Sequence, residues 1–401
     1  MASSLAANLT WPYNQPRCNQ LAEWPARCAT AEELHDVTAG IPVSPIGAQS
    51  RARRWVAVGD GVVGVVANPM SGRDIRRLVT QASVFPTAEK ANMIQRMLTA
   101  FGAVGVQRVL LSTDLGGISA SVFRAIGRHR GRNCPWPEVE FLDGQPIRQT
   151  AQDTVDAVRR MVAVGARVIV CLGGDGTARV TASAAGEVPM LALSTGTNNT
   201  FPAVREATIA GLAAGLVATG MVPAEGVVKS AKLLEARVGD RVETALIDVA
   251  VSTERHVGAR AVWDPATLTQ LFCAFAEPDA IGLSSILGQL SPVARHQSHG
   301  VTARIAPDAS SQVVAPIAPG LVVPVGVREI ELMCPGSVYA IDTRAGVIAV
   351  DGERELTFEP GEQPTVRLRA DGPRCVDVPA VLAASARLGL LRRARHVSSS
   401  N

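Results

Sequence analysis

Val168-Ile169-Val170-Cys171-Leu172-Gly173-Gly174-Asp175-Gly176-Thr177 is the stretch whose reading decides the fold. Its first five residues form a short, unbroken apolar run, which reads as a strand buried on both faces. Three glycines then leave almost no side chain around one carboxylate, Asp175, and Thr177 opens a helix. Glycines let a backbone approach a bulky anion, and their N–H groups together with a helix N-terminus favour phosphate oxygens. A carboxylate repels phosphate. Asp175 makes chemical sense there as the group that accepts a proton from a hydroxyl attacking phosphorus. The competing reading is an ordinary Asp-Gly turn closing a strand of an α/β protein.

Working outward, residues 61–67, 107–112 and 139–142 read as strands and 89–101, 118–126 and 155–164 as helices, the last preceded by Thr150 and Asp153 as caps. Beyond the Gly-rich turn come a helix, a strand over 188–193 and a helix over 206–219. Strand alternating with helix predicts a parallel sheet with right-handed crossovers. A second polar loop, Ser194-Thr195-Gly196-Thr197-Asn198-Asn199, follows the first by one strand–helix unit. Both therefore lie at the carboxyl edge of the sheet, where ligands bind in open α/β folds. Its Thr and Asn side chains can hydrogen-bond phosphate, ribose or base; by itself the loop also reads as a capped turn.

The loop after the first strand, Asn68-Pro69-Met70-Ser71-Gly72-Arg73-Asp74, lacks the Lys and Ser/Thr of a P-loop. Backbone N–H groups and Arg73 can still meet a nucleotide there; the alternative is a plain Asn-Pro turn. A dinucleotide fingerprint fails, because Arg179 stands at its third glycine and Thr195 where an acidic ribose ligand is wanted.

From about Val222 the composition turns β-rich. Strands are predicted over 234–238, 242–251, 321–325, 338–341, 347–350, 356–358 and 366–368, and helices only over 265–275 (capped by Asp264) and 281–290. The expected organisation is a poorly ordered extension, 1–58; an α/β nucleotide-binding domain, 59–222; a β-rich, sandwich-like domain, 223–377; and a C-terminal helix packing back on the first domain, with a tail, 378–401. Asp351-Gly352-Glu353 has two readings. One is a hairpin turn. The other is a carboxylate pair over the cleft, Asp351 and Glu353, holding Mg²⁺ (Asp351 as the metal candidate) or helping to orient Asp175. His296 and His299 have no further ligand cluster, and His256 reads as structural.

The totals narrow the classes. Of 401 residues, 47% are apolar and only 4% aromatic, so the core is aliphatic. With 39 basic and 36 acidic residues the charge is too balanced for a nucleic-acid binder or a polybasic membrane surface. Seven scattered cysteines without a C-x-x-C pair read as reduced thiols of a cytoplasmic protein. No segment reaches the ~18 apolar residues of a membrane span, and no basic start followed by an apolar run suggests a signal peptide.

Asn68-Pro69-x-Ser71-Gly72, Gly173-Gly174-Asp175-Gly176-Thr177 and Asp351-Gly352-Glu353, in that order, resemble the NAD kinase / diacylglycerol kinase superfamily. Longer matches extend the likeness from about Gly61 to Val378: 67–77, 194–202, 257–265 and 315–320 are similar to the ATP-NAD kinase-like group typified by acetoin-catabolism protein X. The resemblance implies an α/β nucleotide-binding domain paired with a β-sandwich domain, the active site between them. It implies ATP- and Mg²⁺-dependent phosphorylation of a hydroxyl, with the 2′-OH of NAD's adenosine ribose as first candidate. Asp175 then carries over as general base, and Gly173, Gly174, Gly176 and Thr177 as a phosphate cradle. Asn68 and 195–199 become nucleotide contacts, and Asp351/Glu353 match the acidic motif of the lipid-kinase branch. A homo-oligomer through the β domain suits the superfamily. The Asn-Glu or Asn-Asp pair with which NAD kinases hold adenosine is missing. The acceptor therefore stays open between NAD and another hydroxyl, lipid or small metabolite, and so does a non-catalytic nucleotide-binding role.

Overall fold

The computed structural model describes residues 61–392, apart from 73–75, 84, 130–134, 145, 197, 256–257 and 259. The expected extension (1–58), Arg73, Thr197, His256 and the tail beyond 392 lie outside the described residues.

The first half is the predicted alternation: β1 Val62–Ala67, α1 Arg76–Val79, α2 Thr87–Ala103, β2 Arg108–Ser112, α3 Ile118–His129, β3 Glu138–Leu142, α4 Ala151–Ala163, β4 Val168–Gly173, α5 Asp175–Ala185, β5 Met190–Ser194 and α6 Ala207–Ala218. Strands order as β3-β2-β1-β4-β5, all parallel. Every residue of β4 is buried. The side chains alternate between two cores: Val168, Val170 and Leu172 meet α2 and α6, whereas Ile169 joins Val158, Met161 and Ala185 of α4 and α5. Thr150 and Asp153 form a reciprocal capping box at the start of α4.

The order places a topological switch between β1 and β4. From β1 the chain moves outward to β2 and β3, and from β4 it moves the other way to β5. The loops after β1 and β4 therefore diverge and leave a crevice at the carboxyl edge.

The rest is β-rich: β6 Val228–Ser230, β7 Leu233–Val238, β8 Arg241–Ala245, β9 Asp248–Ser252, β10 Leu268–Cys273, α7 Ser284–Gly288, β11 Gly300–Ile305, β12 Gln312–Ala318, β13 Leu321–Met333, β14 Val338–Ala340, β15 Gly346–Val350, β16 Glu353–Phe358, β17 Thr365–Arg369, β18 Arg374–Val376 and α8 Val378–Leu388. A seven-stranded antiparallel sheet (β12-β13-β11-β10-β9-β15-β16) and a four-stranded one (β14-β17-β7-β8) enclose Leu234, Val249, Phe272, Ile348, Phe358 and Leu368, a sandwich core. Ala178 of α5, Met190 and Ala192 of β5, and Phe201 belong to this same core. The two halves thus share buried side chains and do not merely touch.

Several expected elements differ. Residues 242–251 are two strands in two sheets, β8 and β9, because the amides of Leu246 and Ile247 turn away to a side chain described below. The helix expected over 265–275 is one 3₁₀ turn, Pro265–Thr267, capped by Asp264, followed by β10. Leu268, Leu271, Phe272 and Phe275 have helical spacing, but pairing with β9 and β11 on both sides decides for a strand. The helix over 281–290 shrinks to α7, and β11 and β12 were not anticipated. β6 and β18 extend the first sheet, so parts of the expected second domain hydrogen-bond to the first sheet. Helix α8 packs Val378 and Val381 into the α2/α6 core. No helix among the described residues is long and apolar enough to cross a membrane.

Candidate active site

A cleft of about 710 Å³ opens at the switch point, within the range of small-molecule sites. Parts of three stretches named from the sequence line it, 68–72, 174–177 and 196, 198 and 199, and so does the hairpin at Asp351.

Helix α5 begins at Asp175, two residues earlier than Thr177, with Gly174 as N-cap. Asp175 therefore sits in the first helical turn, pointing at the cleft from a helix N-terminus. Its carboxylate is oriented by backbone amides: the N–H of Phe201 donates to Oδ1 at 2.8 Å, and that of Thr200 reaches both oxygens at 3.1 Å. A Cβ on Gly174 would stand 2.9 Å from Oδ1 of Asn199, so the absent side chain is what lets the second polar loop close on the first.

Hydrogen bonds tie the loops together. Asn68 Nδ2 donates to Thr177 Oγ1 at 2.9 Å, and Asn68 Oδ1 accepts the N–H of Met70 at 2.8 Å. The Ser71 hydroxyl lies 2.9 Å from that of Thr195. Asn199 Nδ2 donates to Ser194 Oγ at 2.7 Å. Ser71, Gly72, Gly176, Gly196 and Asn198 also line the cleft. Gly173 and Thr195 do not. Gly173 ends β4 with Thr177 packed against it, and Thr195 is fully buried beneath Ser71, so both build the wall and leave the surface to their neighbours.

Asp351-Gly352-Glu353 forms the hairpin turn of the first reading, with the Asp351 carboxylate turned inward and away from any role of holding Mg²⁺ from the cleft. Val350 pairs with Glu353, and Asp351 and Gly352 have φ of 49° and 74°, a two-residue primed turn that glycine makes easy. The Asp351 side chain is buried, accepting N–H from Leu246 at 3.1 Å and from Ile247 at 2.8 Å, with Arg179 Nε 3.8 Å away. Burial raises its pKa to about 6, outweighing Arg179 and the backbone donors. Glu353 is the carboxylate of this turn that is half-exposed on the cleft, close to Gly176.

Side chains not singled out from the sequence complete the site. Lys90 of α2 is buried beneath the first loop, its Nζ donating to the carbonyls of Asn68 (3.0 Å), Ser71 (3.1 Å) and Pro69 (3.3 Å). The signal was there: Lys90 falls on the apolar stripe of Ile94 and Met97. Arg179, one turn along α5 from Asp175, bonds Glu355 at 2.6 Å and Glu243 at 3.2 Å, bridging the two halves. Burial works against its charge, but Asp351 and Glu355 more than compensate and raise its pKa. Arg260 reaches Glu355 at 2.7 Å on the cleft rim. These partners come from distant strands, which no local pattern reveals.

Among the described residues no three Asp, Glu, His or Cys side chains converge into a metal cage. With Asp351 held by backbone donors, Glu353 is the carboxylate of this turn that could meet a divalent cation entering the cleft with a ligand.

Residues 63–221 match the ATP-NAD kinase N-terminal domain, and residues 232–371 match the acetoin catabolism protein X C-terminal domain. Acetoin catabolism protein X of Cupriavidus necator is 40% identical over 338 residues, covering 82% of this chain and 94% of that protein. Among solved structures, yeast NADH kinase complexed with NADH is 14% identical with a TM-score of 0.46, covering 84% of this chain and 90% of that one. By identity and coverage, and by the two domain matches in order, the chain belongs to the acetoin catabolism protein X family, with a first half of the ATP-NAD kinase type.

Proposed function

We propose that the protein transfers the γ-phosphoryl group of ATP to the 2′-hydroxyl of NAD, giving NADP and ADP. The observation that carries the reading is Asp175 in the first turn of a helix whose N-terminus faces the cleft, its carboxylate oriented by two amides. Asp175 takes the hydroxyl proton as the oxygen attacks the γ-phosphorus and the β–γ bridging oxygen leaves with ADP. Gly174, Gly176 and Thr177 at the helix start, with Asn68, Ser71, Gly72, Arg73, Gly196, Thr197, Asn198 and Asn199, hold the nucleotide phosphates and sugars. Glu353, on the cleft beside Gly176, would help to hold a Mg²⁺ brought in with the nucleotide, which when bound would supply charge neutralisation for the phosphates.

A second acceptor class has its own support. The cleft is lined by no aromatic side chain among the described residues, so a small polyol needing no ring stacking fits the same machinery.

Incubation with ATP, Mg²⁺ and NAD, read by a dehydrogenase specific for NADP, tests the first reading. NADP formed by the wild type and not by Asp175→Asn supports both acceptor and base. Intact nucleotide binding without NADP rejects NAD and directs the search to polyols.

A further inference from the structure

We propose that Arg295, which lies outside the cleft in the β-rich half, is a positioning residue for Asp175. The link is one peptide group. The N–H of Phe201 donates to Asp175 Oδ1 at 2.8 Å, and the carbonyl of the same peptide, that of Thr200, accepts Arg295 Nη2. The next carbonyl, Phe201 O, accepts Nη1 at 2.7 Å. A guanidinium cation thus grips the outer side of the segment whose inner side grips the carboxylate. The peptide dipole aligns from cation to anion, so each hydrogen bond strengthens the other.

Arg295 is itself held. Its Nε lies 3.2 Å from Glu277 Oε2, and its guanidinium stands 4.5 Å from the ring centre of Phe275 and 5.5 Å from that of Phe201. The β-rich half pins the same segment twice more, through Thr200 Oγ1 to the Ile281 carbonyl at 2.5 Å and Asn198 Nδ2 to that of Ile317 at 3.2 Å. The second half therefore sets the orientation of the first half's carboxylate. A planar fork reaching two successive carbonyls while its Nε meets a carboxylate is a geometry that lysine does not reproduce.

The catalytic meaning of this arrangement rests on the phosphoryl-transfer reading; the contacts do not. The test uses the full-length protein with Arg295→Met, Arg295→Lys and, as a milder change should the first fail to fold, Glu277→Gln. Two quantities are measured: steady-state kinetics, and the titration of the Asp175 carboxyl by ¹³C NMR, assigned through Asp175→Asn. Freed amides stabilise the carboxylate less, so its midpoint moves up in Arg295→Met. Its kcat falls by about 10²-fold, as expected for ångström-scale misplacement of a reacting group, with the KM for ATP unchanged. Arg295→Lys falls short of rescue, and Glu277→Gln shifts both quantities in the same direction by less. An unmoved midpoint with wild-type kcat in a folded Arg295→Met overturns the proposal. A raised midpoint in a protein whose wild type transfers no phosphoryl group upholds the positioning and removes the kinase reading alone.

Discussion

The turn at Asp175 and the turn at Asp351 meet at one cleft, each built from an Asp followed by Gly. In both, backbone amides hold the carboxylate. At Asp175 the turn ends a parallel strand and opens a helix, so the carboxylate faces the cleft at a helix N-terminus. At Asp351 the turn joins two antiparallel strands, and the carboxylate points inward, where it stops one strand, starts another and neutralises Arg179. What an Asp-Gly pair does depends on the strands it joins. The first Asp lines the cleft and the second is built into the architecture.

That contrast breaks most sharply if the two Asp variants behave alike. Asp175→Asn should lower kcat by about 10²–10⁴-fold, the usual worth of a positioned base, while nucleotide binding and unfolding midpoint change little. Asp351→Ala should do the reverse. Two buried amides and part of the charge on Arg179 lose their partner, at a cost of about 3–5 kcal/mol in urea unfolding, with a far smaller loss of kcat. Its pH dependence sharpens the point. The folded pKa of about 6 exceeds the ordinary 3.8, so between these values the native state holds a proton that the unfolded chain releases. The proton-linked part of Asp351's contribution to stability is therefore full below pH 3.8 and lost as pH rises through 6, leaving the hydrogen bonds and the Arg179 contact. Replacing Asp351 by Asn should remove that slope from a plot of unfolding free energy against pH, and an unchanged slope would assign it to another group.

Smaller effects test the loops. Lys90→Met strips three carbonyls of their buried cation and should cost about 1.5–3 kcal/mol in stability. On the proposed reading it should also raise the KM for nucleotide more than it lowers kcat, because the loop it loosens would contact phosphate and carries no base. A kcat effect as large as that of Asp175→Asn would move Lys90 into the chemistry. Gly174→Ala should be mildest, about 1 kcal/mol, because the added methyl meets Asn199 Oδ1, the end of a side chain that can turn. Its signature is a raised KM.

Legibility from the sequence followed the range of the interactions. The α/β half was readable because each element carries its own periodicity: β4 is apolar throughout, and α4 announces itself with Thr150 and Asp153. The cleft loops were readable because glycines and small polar residues cluster in successive loops. The β-rich half was not, where long-range pairing overrides local spacing. Leu268–Cys273 looks helical until β9 and β11 flank it, and nothing local marks Leu246 and Ile247 as the donors that split one expected strand in two. Lys90 was readable in principle, as a cation on an apolar stripe. Arg295 was not, since it meets Thr200 and Phe201 across more than ninety residues of chain.

The central claim, that Asp175 removes the acceptor's proton in this cleft, is tested most directly by single-turnover transfer of a labelled γ-phosphoryl group. Wild type and Asp175→Asn are compared with ATP, Mg²⁺ and NAD all saturating. The account predicts label on the 2′-position of NADP from the wild type, and from the variant a rate at least about 10²-fold lower at equal nucleotide occupancy. Equal rates from both would contradict it.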